Sequence, residues 1–181
     1  MILFWIGQGI GFVGVIISFI IFQQKNKNKM ILYKLLSDII WALHYGFIGA
    51  YSGMAVALVN IPREVVYYCQ NKNKNNSPIS LVVFGIINVV FAIITWKNVF
   101  SLFPTFASIS AMFAFWLNNV KATKKISLVV SVLMLTYDIF NSSYMGILNE
   151  IITLISIIVA LTVLLRNKKE ISEAEKEKEN E

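Results

Sequence analysis

Hydrophobic residues fill long stretches of this chain, and short polar stretches separate them. A bilayer core about 30 Å thick needs about 20 helical residues to cross it. Measured against that length, the pattern predicts seven membrane-crossing helices. They run approximately over residues 2–22, 30–49, 53–70, 79–96, 101–118, 124–142 and 145–165. The pattern therefore predicts an all-α, polytopic membrane protein.

Composition narrows the class of protein further. Of the 181 residues, 57% are hydrophobic and 14% are charged, and the mean hydropathy is +0.68. A soluble domain carries about 25% charged residues, so we exclude a soluble enzyme, a nucleic-acid-binding domain and a disordered chain. The single cysteine, Cys69, excludes an internal disulfide, and the single histidine, His44, excludes a multi-histidine metal centre. We expect neither a metal nor a cofactor.

Positive charges alternate from one connection to the next and predict the orientation. The first, third and fifth connections and the C-terminal end hold thirteen Lys and Arg residues, whereas the opposite connections hold Lys97 alone. Positive residues favour the cytoplasmic side, so we expect the N-terminus outside and the C-terminus in the cytoplasm. The charged tail, residues 167–181, is expected to be frayed helix or disorder because it offers nothing to pack.

Two turns of the chain resemble each other and predict an internal repeat. The segment Gly49–Met54 matches Ser142–Ile147, and each closes the turn between the second and third helices of a three-helix group. One linker helix between two such groups gives both groups the same orientation in the membrane. We therefore expect two parallel three-helix repeats (3+1+3). The units are residues 1–70, a linker with helix 4 at 71–100, the second repeat at 101–166, and the tail.

Several short motifs also resemble a known family, the YgjV-type bacterial inner membrane proteins. The resemblance rests on Gly7–Gly11, on the turn and acidic residue in Ser143–Glu150, and on the spaced set His44, Gly49, Tyr51, Asn60 and Arg63. It implies a location in the bacterial inner membrane. The 3+1+3 arrangement is similar to that of SWEET, PQ-loop and PnuC-type transporters, which implies a transport function by analogy of architecture.

Polar residues of helix 2 lie on one predicted face. Lys34, Asp38, Trp41 and Tyr45 are spaced to share a face. A charge at the bilayer centre costs about 2.5–3.5 kcal/mol on insertion scales, so each must face protein or water. Either Lys34 and Asp38 form an ion pair that only stabilises the helix, or Asp38 and Trp41 line a path for solute. His44 is either a hydrogen-bonded packing residue or a proton carrier.

In helix 3, Asn60 and Arg63 lie three residues apart, beside Pro62. Proline removes one backbone hydrogen bond from a helix, and such a defect is tolerated in lipid only against protein or a water-filled cavity. Arg63 is accordingly a candidate to bind an anionic solute. The alternative is a structural ion pair with Glu64 or Asp38.

The second repeat supplies a further polar group. Asp138 and Asn141 on helix 6, with Asn149 and Glu150 on helix 7, flank one turn. Two carboxyl groups kept from bulk water can share a proton, as a proton-coupled carrier requires; a closed hydrogen-bond network is the alternative. Gln8 on helix 1 is a further candidate to hydrogen-bond a solute.

Together these features favour a small-solute transporter, either a facilitator or a proton-coupled carrier, with its pocket between two three-helix bundles. The alternative is a non-transporting scaffold or regulatory protein of the inner membrane. We expect no enzymatic activity, because no nucleophile and base occur together in a catalytic motif. The expected partners are membrane lipid and a small solute but not nucleic acid, and the protein is expected to be a monomer or a small homo-oligomer.

Overall fold

A computed structural model describes residues 2–75, 77–117 and 119–179, without the side chains of Phe22, Leu164, Leu165 and residues 167–179. This part of the chain contains seven α-helices, as predicted. They are α1 (Ile2–Gln23), α2 (Lys27–Ile48), α3 (Tyr51–Lys72), α4 (Pro78–Ile94), α5 (Leu102–Trp116), α6 (Val120–Phe140) and α7 (Tyr144–Glu179). A 3-10 turn, Val99–Ser101, precedes α5. The predicted end of the fifth segment at Asn118, and Asn180 and Glu181 of the tail, lie outside the described residues.

The last helix is longer than the predicted segment 145–165. It continues without interruption into the charged tail as far as Glu179. Residues 170–179 are mostly Glu, Lys and Ala, which are good helix formers, and Glu precedes Lys by three residues at 173 and 176 and again at 175 and 178. Local propensity therefore favours helix here, even where the sequence offers no apolar face to pack.

Four of the helical segments are long and apolar enough to cross a membrane: Ile2–Ile21, Lys27–Ile48, Val99–Trp116 and Tyr144–Val163. The helices α3 and α6, of 22 and 21 residues, are of similar length but are not among these four segments. The helix α4 is apolar but has only 17 residues.

Burial in this fold is inverted relative to a soluble protein. Large apolar side chains face outward, as at Ile2, Ile79 and Ile93, which are 70–78% exposed. Charged and polar side chains are instead buried between the helices, as at Asp38, Arg63 and Asp138. A hydrocarbon environment favours this distribution, because the lipid replaces water as the solvent of the outer surface.

Six of the helices pack in a closed ring. The helix α2 packs against α1 and α3, and α6 packs against α5 and α7. The ring closes where α3 meets α5 and where α7 meets α1. The helix α4 lies outside the ring, with its main contacts on α3 and α5.

The two halves of the ring begin and end their middle helices in the same way. Asn26 caps α2 and Asn119 caps α6, and each side-chain oxygen accepts hydrogen bonds from the backbone N–H groups two and three residues further on. After these helices the chain turns through Gly49 (φ 76°) and Ser142 (φ 52°), both in the left-handed region. The N–H of each turn residue bonds the carbonyl three residues back, and the next N–H bonds the carbonyl five back.

Candidate functional site

A cavity of about 120 Å³ lies at the centre of the ring. All six ring helices line it, and among the described residues α4 contributes none of its wall. Its polar wall consists of Ser18, Lys34, Ser37, Asp38, Tyr45, Asn60, Ser108, Ser127, Ser131, Asn149, Glu150 and Thr153. Apolar groups fill the rest, among them Trp41, Met134 and Phe115. A space of this size admits several water molecules or a small solute.

The predicted face of α2 forms one wall of the cavity. Lys34, Asp38, Trp41 and Tyr45 all line it. Lys34 and Asp38 form an ion pair in which the Lys34 side chain is 21% exposed. The Trp41 indole Nε1 donates to the Ser18 hydroxyl at 3.3 Å, which fixes the ring on the cavity wall.

Another wall of the cavity belongs to α7. Asn149 and Glu150 are adjacent there, and the Asn149 Nδ2 group donates to Glu150 Oε1 at 2.9 Å. Thr153 continues the same wall one turn further on. Glu150 is only 8% exposed, and it takes part in neither of the two ion pairs found among the described residues. The cavity thus faces two carboxyl groups, Asp38 and Glu150, and one ammonium group.

Arg63 is buried completely and does not line the cavity. Its Nη2 donates to Glu64 Oε1 at 2.7 Å, and its Nη1 donates to the carbonyl and the hydroxyl of Ser108, both at 3.2 Å. Ser108 in turn donates to Asn60 Oδ1 at 2.9 Å, and Asn60 does reach the cavity wall. The helix α3 continues unbroken through Pro62. Arg63 is therefore paired with Glu64, one of the alternatives predicted from the sequence, and Asn60 and Ser108 line the cavity in its place.

His44 lies at the end of the cavity nearest the two left-handed turns and belongs to the packing there. Its Nδ1 lies 2.8 Å from the carbonyl oxygen of Gly7, and its Nε2 lies 2.8 Å from the Ser143 hydroxyl. A carbonyl can only accept, so Nδ1 carries a proton. The ring therefore joins α1 to the turn that precedes α7, and it does not face the cavity.

Three more hydrogen bonds lie at the same end. Tyr45 donates to Asp138 Oδ1 at 2.9 Å, the backbone N–H of Gly53 donates to the Tyr137 hydroxyl at 3.0 Å, and the backbone N–H of Met145 donates to Gln8 Oε1 at 3.0 Å. Each joins a helix of the first three to one of the last three. We call this group the turn-side layer; it consists of Gln8, His44, Tyr45, Gly53, Tyr137, Asp138 and Ser143.

Glycines allow the turn-side layer to pack closely. A Cβ added to Gly11 would lie 2.7 Å from His44 Nδ1 and 2.7 Å from the Met145 Cβ. A Cβ on Gly53 would lie 3.0 Å from the rings of Tyr45 and Tyr137. Any side chain at these positions would therefore push the layer apart.

Eight of the ten candidate residues divide between the two regions, and Arg63 and Asn141 belong to neither. Asp38, Trp41, Asn60, Asn149 and Glu150 line the cavity. Gln8, His44 and Asp138 lie in the turn-side layer, Arg63 is paired with Glu64, and Asn141 donates to its own helix at the Tyr137 carbonyl.

The serine residues that line the cavity were not among the site residues predicted from the sequence. Ser18 and Ser37 lie 3.2 Å apart through their hydroxyl oxygens, and Ser108 and Ser131 line the other half. A helical projection would have found Ser37, which shares the face of Lys34 and Trp41 at three and four residues' distance.

Comparison with known proteins gives one match. Residues 5–168 match the Imp-YgjV family, which is described as bacterial inner membrane protein. No curated protein and no solved structure matches the chain.

Proposed function

We propose that this chain, which belongs to the Imp-YgjV family of bacterial inner membrane proteins, carries a small solute across that membrane through the central cavity. The observation that carries the proposal is the cavity itself, which lies within the ring of six helices and is lined by polar groups from every one of them. Buried polar groups are costly in a membrane and mark paths for ions or solutes when they face a cavity.

A two-fold repeat supports an alternating mechanism. Shifting the chain by 93 residues, the distance from Gly49 to Ser142, places the cap Asn26 on the cap Asn119. The same shift carries the hydrogen bonds of one left-handed turn onto those of the other. The shift relates α1 to α5 and α3 to α7. The contact between α3 and α5 is therefore equivalent to the contact between α7 and α1. Two like bundles of three helices, joined by α4, are the expected result.

The contact between Tyr45 and Asp138 gives a position for the repeat axis. These residues are themselves 93 apart and hydrogen-bonded, so each repeat contributes the same position to one contact. A contact between equivalent positions lies beside the axis that relates them. Solutes in transporters with such repeats bind near mid-membrane at the repeat interface, and Tyr45 lines the cavity at this place.

In the proposed cycle the two bundles rock against each other around the cavity. The turn-side layer closes one end of the cavity, and its hydrogen bonds must separate when that end opens. We propose that all seven helices cross the membrane, with the N-terminus outside and the C-terminus in the cytoplasm. A facilitator and a proton-coupled carrier both fit, with no enzymatic step. A single chain supplies both bundles, so a monomer suffices, and a small homo-oligomer is compatible with this.

Labelling of engineered cysteines tests the path. In a Cys69→Ser background, Ser37→Cys places a thiol on the cavity wall, and Ala42→Cys places one at a buried position of the same helix outside the cavity. We expect a small, water-soluble thiol reagent to label position 37 faster than position 42, and a bound solute to slow the labelling. Equal, slow labelling of both would remove the path and favour the alternative, a scaffold or regulatory protein.

A screen and a topology assay complete the test. Thermal stability of the purified protein against a pool of metabolites should identify fractions that stabilise it. Reporters fused after residue 181 should report a cytoplasmic C-terminus. A periplasmic C-terminus would contradict the seven-crossing arrangement.

A further inference from the structure

We propose that the solute is a small organic cation with N–H donors, held by the carboxyl groups of Asp38 and Glu150 and by the ring of Trp41. This inference rests on the proposed transport function and adds the chemical class of the solute.

The charges of the cavity wall favour a cation. Asp38 and Glu150 contribute two carboxyl groups, and Lys34 contributes the one basic group of the described wall. Lys34 is already in contact with Asp38 Oδ1. With these groups ionised, the wall carries one negative charge in excess, and a buried charge requires a partner. A cationic solute supplies that partner at Glu150.

The unpaired hydrogen-bonding atoms of the wall point to the same class. Among the described residues that line the cavity, two buried side-chain atoms have no hydrogen-bond partner, Asp38 Oδ2 and Asn149 Oδ1. Both are acceptors, and both residues are more than nine-tenths buried. Unpaired acceptors inside a protein are costly. A primary ammonium group brings up to three N–H donors and can satisfy them.

The same wall disfavours an anion. Arg63, the strongest anion ligand in the helices, is bonded to Glu64 and Ser108 and does not reach the cavity. An anion would therefore face two carboxyl groups with only the Lys34 ammonium in support.

Aromatic rings complete the site. Trp41 and Tyr45 lie side by side on the cavity wall, with ring centroids 5.8 Å apart and planes tilted by 35°. The indole face attracts cations through its quadrupole. The Trp41 N–H is bonded to Ser18 and the Tyr45 hydroxyl donates to Asp138, so neither group offers a further donor to a solute.

Three probes that differ in one end group test the charge class. They are 4-aminobutan-1-ol, butane-1,4-diol and 4-hydroxybutanoate, which are cationic, neutral and anionic at pH 7. Calorimetry on the full chain in lipid nanodiscs should give the amine at least about tenfold tighter binding than the diol, because its N–H groups bond ionised acceptors. Equal binding of amine and diol, tighter binding of the hydroxy acid, or no binding of the amine would each overturn the proposal.

Substitutions that remove one charge locate the site. Asp38→Asn and Glu150→Gln should each reduce the preference for the amine over the diol about tenfold. The matched control is Glu170→Gln, the same change on α7 about 30 Å further along the helix at 1.5 Å per residue, and it should leave the preference unchanged. An equal preference in all four proteins would place the cation elsewhere and overturn the assignment of Asp38 and Glu150.

Different results would reject the proposed solute class and the proposed transport function. Protection of the cysteine at position 37 by the diol or the hydroxy acid, without protection by the amine, would keep the path and reject the cation. Failure of position 37 to react at all, while the amine still binds with the stated preference, would keep the cation site and reject the path.

Discussion

Two buried ion pairs in this protein illustrate different uses of charge inside a membrane. Arg63 and Glu64 are completely buried and bonded to each other, although Arg63 Nε and Glu64 Oε2 have no hydrogen-bond partner, and neither residue lines the cavity. Lys34 and Asp38 form the other pair on the cavity wall, where Lys34 keeps partial exposure and Asp38 Oδ2 is left without a partner. The first arrangement is that of a structural contact, and the second leaves capacity for a ligand. Each pair joins one basic and one acidic side chain, and the cavity that adjoins only the second pair distinguishes the two.

Removal of Arg63 should produce the largest effect on stability. Arg63→Leu leaves Glu64 buried without its partner, which costs about 3–5 kcal/mol of unfolding free energy in such pairs. Thermal unfolding of the purified protein in micelles measures the change.

The double variant Arg63→Leu with Glu64→Leu is the control. It should recover most of the loss, since apolar replacement of a whole buried pair is often neutral. A double variant as unstable as the single one would show that Arg63 acts through Ser108 rather than through Glu64.

Packing in the turn-side layer should give an intermediate effect. Gly11→Ala places a methyl group against His44 and Met145, and overpacking of this kind costs about 1–3 kcal/mol. Gly9→Ala on the same helix meets nothing within 4 Å and should be neutral or slightly stabilising. Equal melting temperatures for the two variants would contradict the close packing of the layer.

Neutralisation of the cavity wall should give the smallest effect on stability. Asp38→Asn releases Lys34, whose partly exposed side chain can extend toward the nearby helix end. We expect a change of about 1 kcal/mol or less in unfolding free energy, together with the loss of amine preference described above. A loss as large as that for Arg63→Leu would place Asp38 among the structural charges and remove the contrast between the two pairs.

Much of the fold follows from the hydrophobic pattern, because each helix needs a long apolar stretch. The seven helices were predicted with ends within a few residues, except at α7, where Lys and Glu continue the helix beyond the apolar stretch. The shared face of Lys34, Asp38, Trp41 and Tyr45 was also predictable, since 3.6 residues per turn fixes it. All four indeed line the cavity.

Contacts between distant helices were not predictable from a single sequence. The spacing of Arg63 gave no preference between Glu64, Asp38 and a solute, because adjacent side chains on a helix normally diverge. The turn-side layer depends on how α2 meets α6 and α7 across the ring, which no local pattern encodes. His44 shows this most directly: its two ring nitrogens are satisfied by Gly7 and Ser143, which are 37 and 99 residues away.

The position of α4 has a consequence for how such a protein can be built. This helix lies beside the ring and adds no residue to the described cavity wall. In the proposed topology it serves as a return crossing that brings the second bundle into the membrane the same way up as the first. Two separately synthesised triplets, inserted in one direction, would need no such crossing, so a chain divided within α4 and co-expressed as two pieces should still assemble around a common solute path.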